Sequence, residues 1–399
     1  MILVEPEYME NFSCMADECP DTCCAGWDII FDEATCSRYR ESQDEVLRKA
    51  FHQNVIRNEE AAADGSIPFA RVKLSEARRC PYLRPDDLCT IQRRTEERNL
   101  SETCRTHPRV IQFWGDDYAE VSLQLSCPMA ANLVLADRPL DFSSHPIDVA
   151  AFKGLRYRQA SSQQGMQFRN FLIHILQRRE YGIQARLLLA NHFFWQAVSL
   201  SDDTKPAFLA IVDEMLATLS DKEKVAALCE AVQRHPALDL EILRSLLLHR
   251  VQTVSDEATT GLTRWLLDRW KIGVQITPEV LSLFERDRVA AVPFFQRYAQ
   301  HIENYLVNQV FKAGNPFLEA HGTEKWIQLI FQYALQQFLV TAEIARSAGP
   351  YPVDSARQLV QKVTKIVEHD AGYLQQCVKF IHMLQSDNET GMAMLITET

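Results

Sequence analysis

Cysteine is the residue type whose number and spacing in this sequence point most directly to chemistry. Nine of the eleven cysteines lie within the first 127 residues, in short clusters separated by turn-forming residues. Thiolates at short spacings in a reducing compartment hold soft metals or carry out redox chemistry, and they have few other uses. The sequence therefore predicts a metal or iron-sulfur site in its N-terminal third.

Eight cysteines are candidate ligands, because each lies in a cluster or beside a proline or a tight turn. They are Cys14, Cys19, Cys23, Cys24, Cys80, Cys89, Cys104 and Cys127. A short loop between cysteines lets the chain wrap around one ion or cluster while its backbone amides bond to the sulfurs. Adjacent side chains tend to point apart, so Cys23 and Cys24 are expected to have different roles. Eight thiols suffice for two four-coordinate sites or for one cluster with spare thiols, and spacing does not choose between them.

The other cysteines and one nearby histidine have a structural interpretation. Cys36 lies in an amphipathic helical pattern, and Cys229 and Cys377 lie among helix-forming residues, so all three are predicted to be structural. His107 follows Cys104 by three residues and could replace a thiolate as a ligand. The favoured interpretation is that His107 forms a hydrogen bond beside the site.

Short elements must position these cysteines in the N-terminal third. Apolar and polar residues alternate over residues 109–114 and 118–126, around the turn at Gly115, and this pattern predicts a β-hairpin. The second strand would deliver Cys127 at its end. Helices are predicted over residues 31–51 and 87–98.

The remainder of the chain has the pattern of long helices. Apolar residues recur at the spacing of one helix face over residues 168–176, 327–338 and 359–367. Residues 220–223 have the form of a capping box, and Thr277 precedes a proline at the first helical position. Eight to ten helices are expected in this part, as a bundle or an irregular stack.

These patterns predict a mainly α protein with two domains. Prolines and serines just after residue 138 form a loop-like stretch that marks the boundary. We expect a small Cys-rich metal-binding domain with the β-hairpin over residues 1–138, and a larger all-α domain over residues 139–399.

Composition limits the function classes. The hydrophobic fraction of 47% and the charged fraction of 24% are those of an ordinary globular protein, and the net charge of −11 argues against nucleic-acid binding. The first residues lack the pattern of a secretory signal, and no run approaches the ~18 apolar residues of a membrane helix. There are only 13 glycines and no GxGxxG motif, which argues against a Rossmann-type core. We expect a cytoplasmic monomer without membrane insertion.

The cysteine motifs resemble a widespread cysteine-cluster family described as zinc- or iron-chelating. The motifs that carry this resemblance are Cys14, Cys19, Cys23-Cys24, Cys80-Pro81-Tyr82-Leu83, Cys89-Thr90-Ile91 and Cys104-Arg105-Thr106-His107-Pro108. Further features resemble one branch, the flagellin lysine N-methylases, over the whole chain. These features are Glu5-Pro6-Glu7-Tyr8, Cys24-Ala25-Gly26-Trp27, Ser126-Cys127-Pro128 and the long helical C-terminal region.

The resemblance implies a bacterial enzyme that methylates the ε-amino groups of flagellin lysines before export. It implies S-adenosylmethionine as the methyl donor and a [4Fe-4S] cluster held by the cysteines. The competing hypothesis is a non-catalytic protein-binding module stabilised by zinc. Neither the residues nor the resemblance identifies a catalytic base or an S-adenosylmethionine pocket.

The type of methyl transfer is a separate question. Displacement of a sulfonium methyl group by an amine needs a deprotonated amine and good alignment, and it needs no metal cluster. Radical enzymes carry a CxxxCxxC triplet, whereas here Cys19 and Cys23 are followed by Gly26 at the position of the third cysteine. This departure argues against a standard radical mechanism and leaves an unusual one open.

Overall fold

The computed structural model describes most of the chain. The described residues are 1–25, 29–59, 69–76, 78–153, 155, 157–160, 163–200, 205–233, 235–253, 268–271, 276–314, 322–347, 349–369 and 371–397. They contain fifteen α-helices and eight short β-strands. The predicted fold class, mainly α with a small β-containing N-terminal part, is confirmed.

The chain divides into two compact units. The first comprises Met1–Val134, Leu140–Ser161 and Gln361–Asp370. The second comprises Leu135–Pro139, Ser162–Val360 and Ala371–Thr399. The division into domains at residue 138 stays a prediction.

The first unit contains all eight strands. They are β1 (Ile2–Pro6), β2 (Ile30–Phe31), β3 (Val55–Arg57), β4 (Ala70–Val72), β5 (Arg109–Trp114), β6 (Tyr118–Leu123), β7 (Phe142–Pro146) and β8 (Tyr157–Ala160). Five of them form a mixed sheet in the order β7-β1-β6-β5-β8, and three form a small sheet in the order β2-β4-β3. Within the five-stranded sheet, β1 runs parallel to β6 and β5 runs parallel to β8.

The predicted β-hairpin is present as β5 and β6. Arg109 lies opposite Leu123 and Trp114 lies opposite Tyr118 in an antiparallel register. Gly115 in the turn has a φ of +67°, a left-handed conformation that glycine adopts without a Cβ penalty. The second strand ends at Leu123 rather than at residue 126.

The helices of the first unit are short. They are α1 (Glu33–Arg40), α2 (Glu45–Asn54), α3 (Thr90–Arg94), α4 (Glu102–Thr106) and α5 (Pro128–Val134). The single helix predicted over residues 31–51 is two helices, because Asp32 and Asp44 each cap a separate start. The Asp44 carboxylate accepts a hydrogen bond from the backbone N–H of Val46 at 2.9 Å. In the segment predicted as a helix over residues 87–98, α3 is followed by a short 3-10 turn.

Two hydrophobic clusters support the first unit. One packs β1, β5 and β6 around Ala119 and Val121. The other lies among α1, α2, α3 and the three-stranded sheet, and it includes cysteines. Its buried residues are Ile29, Phe31, Cys36, Tyr39, Leu47, Phe51, Ala70, Val72, Cys80, Tyr82, Ile91 and Leu100. Cys24, Cys89 and Cys104 pack against this second cluster.

The second unit is helical throughout its described residues. Its helices are α6 (Gln163–Leu176), α7 (Ile183–Val198), α8 (Lys205–Leu219), α9 (Lys222–Glu230), α10 (Pro236–Thr253), α11 (Pro278–Ala313), α12 (Gly322–Arg346), α14 (Ala371–Met383) and α15 (Glu389–Thr397). Helix α13 (Val353–Val367) begins in this unit, and its last turns, from Gln361, belong to the first. None of the helices described is both long and apolar enough to cross a membrane.

The helix starts in the second unit follow the capping signals of the sequence, with one difference. Thr277 caps α11, as predicted, and accepts a hydrogen bond from the backbone N–H of Val280 at 3.4 Å. Asp221, not Ser220, caps α9, because its carboxylate accepts bonds from two backbone N–H groups. A carboxylate is a stronger acceptor than a hydroxyl at a positive helix end.

A buried ion network joins α7 and α11 in the second unit. The Glu303 carboxylate is 1% exposed and pairs with Arg179 at 2.7 Å and with Arg186. Hydrogen bonds from both guanidinium groups lower the pKa of Glu303, although burial alone would raise it. The carboxylate therefore neutralises Arg186, whose side chain is 5% exposed.

Removal of this charge tests the importance of the network. The Glu303→Gln substitution leaves Arg186 buried without a counter-ion, so we expect a loss of about 3 to 5 kcal/mol in the free energy of unfolding. Urea denaturation measures this loss in the free energy of unfolding. The control Glu343→Gln removes a pair with Arg346, whose side chain is 47% exposed, and should cost less than about 1 kcal/mol. Equal, small losses in both variants would contradict the expectation.

Candidate metal centre

Five cysteine thiols of the first unit lie close enough to Cys23 to interact with it electrostatically. Burial raises the pKa of these five thiols, and the negative charge of a Cys23 thiolate raises it further. These thiols belong to Cys19, Cys80, Cys89, Cys104 and Cys127. The Cys24 thiol is hydrogen-bonded to Cys23, and Cys14 interacts with Cys19. All eight predicted candidates are thus in one neighbourhood.

Four of these thiols form the most complete set, which we call the thiol quartet: Cys23, Cys80, Cys89 and Cys104. Every pair within the quartet interacts electrostatically. Cys127 interacts with both Cys19 and Cys23. Cys23 therefore connects the quartet to a second group of thiols that includes Cys19 and Cys127. The eight candidates therefore divide into the quartet, an adjoining group of Cys14, Cys19 and Cys127, and Cys24, whose thiol is hydrogen-bonded to Cys23.

Backbone hydrogen bonds hold the quartet segments together. The backbone N–H of Cys80 donates to the carbonyl of Cys24 at 2.9 Å, which joins the first cysteine cluster to the second. Leu83 pairs with Cys89 in an antiparallel bridge, so the chain turns back between Cys80 and Cys89. The chain therefore forms a short loop between these two cysteines.

Three candidate cysteines lie at the starts of short helices. Cys89 is the N-cap residue of α3, and Cys127 directly precedes α5. Cys104 lies in α4, where its backbone N–H donates to the Ser101 hydroxyl at 3.1 Å. Proline at the first position of α5 is compatible with the helix, because that N–H would have no helical partner.

Backbone N–H groups at these turns point toward the sulfurs. Burial raises the pKa of Cys80 and of Cys127 to about 11, and hydrogen bonds from the backbone oppose this effect. The donors are the backbone N–H groups of Tyr82 and Leu83 for Cys80, Ile91 and Gln92 for Cys89, and Met129 and Ala130 for Cys127. Such bonds favour a thiolate over a thiol.

The chemistry of the donor set, which consists of thiols, suits a soft metal or an iron-sulfur cluster, although its arrangement is not that of a bound metal site. Partly buried thiols this close together cannot all be anionic without a cation, whereas a bound cation deprotonates its thiol ligands and removes the repulsion. Across the described ranges, no group of three or more His, Cys, Asp or Glu side chains has the arrangement of a metal-binding set. The thiols share a neighbourhood without being closed around one point.

The remaining three cysteines are not among the predicted ligands. Cys36 is 1% exposed in the hydrophobic cluster, where burial raises its pKa to about 11. Cys377 is equally buried in the second unit, and Cys229 is half-buried there. Their structural role stays a prediction. Gly26, on which the comparison with radical enzymes depends, lies outside the described residues.

A C-terminal segment adds polar groups to the cysteine region, and sequence reasoning missed it. Lys365 in α13 pairs with the Asp21 carboxylate at 2.7 Å and donates to the Thr22 carbonyl at 2.8 Å. Gln361, one turn earlier, donates to Asp21 at 2.9 Å and to the Ser126 carbonyl at 2.8 Å. The segment therefore fixes both the loop before Cys23 and the residue before Cys127.

The Lys365 ammonium also acts on the thiols electrostatically. A hydrogen bond with Cys24 and burial raise the pKa of Cys23, while the charge of Lys365 opposes this rise. Gln361, Lys365 and His369 recur every four residues, which was the one available sequence signal. That spacing is also typical of an ordinary solvated helix face, so it does not indicate a site by itself.

His107 lies beside this segment as a neutral imidazole. Burial, together with the positive charges of His369 and Lys365, lowers the pKa of His107 to about 3. The rings of His107 and His369 have centroids 6.2 Å apart, and His369 Nε2 lies 2.9 Å from the Ser126 hydroxyl. The His107 side chain forms a hydrogen bond with Gln124, and the favoured interpretation, a hydrogen-bonding residue beside the site rather than a metal ligand, stays a prediction.

The depressed pKa of His107 makes stability depend on pH. As the pH falls below about 6.5, the unfolded chain binds a proton that folded His107 excludes, so stability is lost progressively toward pH 3. One such group contributes a slope of at most about 1.4 kcal/mol per pH unit. Unfolding of metal-free protein between about pH 7 and 4.5 should therefore show a shallower slope in His107→Gln.

The exposed His52 provides the control for this measurement. The His52→Gln variant should keep the pH dependence of the parent chain. A His107→Gln variant with the same slope as the parent would show that His107 titrates normally in the folded protein.

Comparisons with known proteins agree on one family. The model of the FliB lysine N-methylase C-terminal domain matches residues 169–395. The flagellar biosynthetic protein FliU of Salmonella muenchen is 32% identical over 136 residues, which are 34% of this chain and 78% of that protein. No solved structure matches the chain.

Two further relatives carry the name lysine-N-methylase. They come from Salmonella choleraesuis strain SC-B67 and Salmonella typhimurium strain LT2, and each is 32% identical over 136 residues, 34% of this chain. The match spans about a third of each relative, 33% of its length. The match to the C-terminal domain model, in contrast, covers more than half of this chain. The chain therefore belongs to the FliB lysine N-methylase family, as the resemblance of its sequence motifs predicted.

Proposed function

We propose that this chain is a protein-lysine N-methyltransferase that methylates flagellin lysines, with S-adenosylmethionine as methyl donor and a cysteine-held [4Fe-4S] cluster. The observation that carries the proposal is the gathering of eight thiols in a chain of the lysine N-methylase family. The name of the Salmonella muenchen relative, a flagellar biosynthetic protein, supports flagellin as the substrate class. Flagellin would be modified in the cytoplasm before export, by a monomeric enzyme.

The thiol quartet is the part of the site that would hold the cluster. Its four sulfurs match the four thiolates that a [4Fe-4S] cluster requires. When bound, such a cluster supplies structural cross-linking and electron transfer, or a binding site for the amino and carboxylate groups of S-adenosylmethionine if one iron lacks a cysteine ligand. Lys365 would offset part of the negative charge of the thiolates, since it already acts on Cys23.

Methyl transfer itself makes a modest demand on the chain. The lysine nitrogen forms a bond to the methyl carbon, the bond from that carbon to the sulfonium sulfur breaks, and the amine loses a proton. An ordinary lysine has a pKa near ~10.4, so the enzyme must desolvate the ammonium or accept its proton. The net charge of −11 favours approach of lysine-bearing substrates, an attraction that salt screens beyond about 8 to 10 Å.

The metal centre is tested by iron content. Protein purified without oxygen should be brown and contain iron and acid-labile sulfide. Alanine substitution of any quartet cysteine should remove most of the iron, because three thiolates hold a cluster less tightly than four. The Cys36→Ala variant is the matched control, since Cys36 is 1% exposed in the cluster that also contains Cys80 but is not a predicted ligand, and it should retain iron.

Two results would change the assignment of the metal centre. Iron loss confined to variants of Cys14, Cys19 and Cys127 would move the cluster to the adjoining group. Colourless protein with stoichiometric zinc would favour the zinc-stabilised binding module instead.

The methyltransferase activity is tested directly. Iron-replete protein incubated with unmodified flagellin and methyl-labelled S-adenosylmethionine should label flagellin lysines, as mass spectrometry of flagellin peptides would detect. An unrelated lysine-rich protein serves as the control and should stay unlabelled. Absence of transfer to flagellin by iron-replete protein would refute the proposed activity.

A further inference from the structure

A histidine and a carboxylate form a pair between two helices of the second unit. Nδ1 of His192, in α7, lies 2.6 Å from a carboxylate oxygen of Glu389, the first residue of α15. Because an ionised carboxylate only accepts hydrogen bonds, Nδ1 carries the proton of the neutral ring and Nε2 keeps its lone pair. The His192 side chain is 28% exposed, and its Nε2 has no hydrogen bond to any residue that the structure describes. Nε2 is therefore available to accept a proton.

Asn191, the residue before His192, holds this pair in place. Its side-chain oxygen accepts hydrogen bonds from the indole N–H groups of Trp195 at 3.1 Å and Trp326 at 2.9 Å. Its side-chain nitrogen donates to the backbone carbonyl of Glu389 at 3.0 Å. Asn191 is 1% exposed, and both lone pairs of its side-chain oxygen are used, so the amide has one orientation. The start of α15 is thereby fixed opposite His192.

An aromatic ring lies on the same face of α7. Trp195 follows His192 by three residues, which is one helical turn, and both side chains are half-buried. The bond from the Trp195 indole to Asn191 limits the rotation of the ring. An indole face attracts cations electrostatically, and its apolar surface can contact the methylene groups of a lysine. This face of α7 thus combines a proton acceptor with a surface that suits an ammonium group.

Two other histidine–carboxylate pairs of the second unit lack this combination. His301 lies beside Asp137, but the His301 side chain is 1% exposed and cannot meet a protein substrate. His382 pairs with Asp387 and is 74% exposed, and the residue one turn before it is Lys379 rather than an aromatic residue. Of these three histidines, His192 combines access to solvent with an aromatic neighbour.

We propose that His192 is the general base that accepts the proton of the substrate lysine, whose side chain lies against Trp195. Glu389 and Asn191 are positioning residues, because they act through the imidazole. All four residues lie within the part of the chain that matches the lysine N-methylase domain, residues 169–395. The inference rests on the proposed function, and it supplies the proton acceptor that methyl transfer to an ammonium group requires.

The protons and electron pairs of the step balance. The lysine ε-ammonium gives a proton to Nε2 of His192, and the Glu389 carboxylate stabilises the resulting imidazolium. The free lone pair of the amine forms the N–C bond to the methyl group of S-adenosylmethionine, and the C–S bond breaks with its electrons on sulfur. The positive charge moves from the sulfonium to the methylated nitrogen. The imidazolium then releases its proton to water.

The test compares methyl transfer to flagellin by the iron-replete parent chain and by His192→Gln. At about pH 7 the variant should lose about a hundredfold in kcat or more, since general base catalysis contributes that much. The deficit should shrink toward about pH 10, because a growing share of the lysine is neutral without a base. A purely structural loss would not depend on pH in this way.

Two further variants separate proton transfer from misfolding and from substrate binding. His192→Ala leaves room for a free imidazole, so added imidazole should restore part of its rate, which a misfolded chain would not regain. Trp195→Leu should raise KM for flagellin by up to about tenfold, because it removes the ring face that contacts the lysine.

The matched control is His382→Gln. This substitution removes another histidine–carboxylate pair of the same unit, with the histidine 74% exposed. The variant should keep the kcat and the pH profile of the parent chain.

The outcomes distinguish the inference from the proposed function. If the parent chain methylates flagellin and His192→Gln behaves like His382→Gln, the inference is overturned alone. An equal deficit of His192→Gln at about pH 7 and at about pH 10 would also overturn it, since a missing base matters less when the amine is neutral. If the iron-replete parent chain transfers no methyl group to flagellin, the proposed function fails and the inference falls with it.

Discussion

The mutual repulsion of closely spaced thiolates is the constraint on which the first unit depends. Among the quartet thiols, Cys80 is buried, Cys89 and Cys104 are half-buried and Cys23 is exposed, and each thiol would raise the pKa of the others by becoming anionic. Water relieves such repulsion in an exposed cluster, but burial removes that relief and makes a bound cation the main alternative. Backbone N–H groups at three turns donate to the sulfurs of Cys80, Cys89 and Cys127, and such bonds stabilise thiolates. The local fold is thus suited to thiolates, although the free chain holds thiols.

Local sequence signals were sufficient for the parts of this structure that depend on neighbouring residues. Strict alternation predicted the β5–β6 hairpin, and a glycine supplied the left-handed turn. Periodic apolar residues predicted the helices around residues 168–176, 327–338 and 359–367. The predicted helix boundaries were wrong where a single side chain determines the start of a helix. Asp44 caps a second helix within the segment that was predicted as one helix, and Asp221 caps α9 in place of Ser220.

Long-range features could not be predicted, for a physical reason. The cysteine candidates carry their own signal, because closely spaced thiols are rare outside metal and redox sites. The spacing of Gln361, Lys365 and His369 is equally typical of a solvated helix face, so it carries no signal specific to a site. The relevance of Lys365 comes from its contact with a loop distant in sequence, which no periodicity records. The family match likewise covers residues 169–395, so it supports the activity while the evidence for a metal centre comes from the N-terminal third.

The contact between Lys365 and Asp21 spans 344 positions of the chain. The segment Gln361–Asp370 belongs to the same compact unit as the cysteines, so that unit is not a continuous stretch of polypeptide. During synthesis, the cysteine loops therefore emerge long before the cation and amide groups that brace them. Metal insertion into a nascent chain would meet an incompletely supported site, whereas insertion after release would meet the full set of contacts. A truncated chain ending before Gln361 would keep every cysteine candidate and still lack this support.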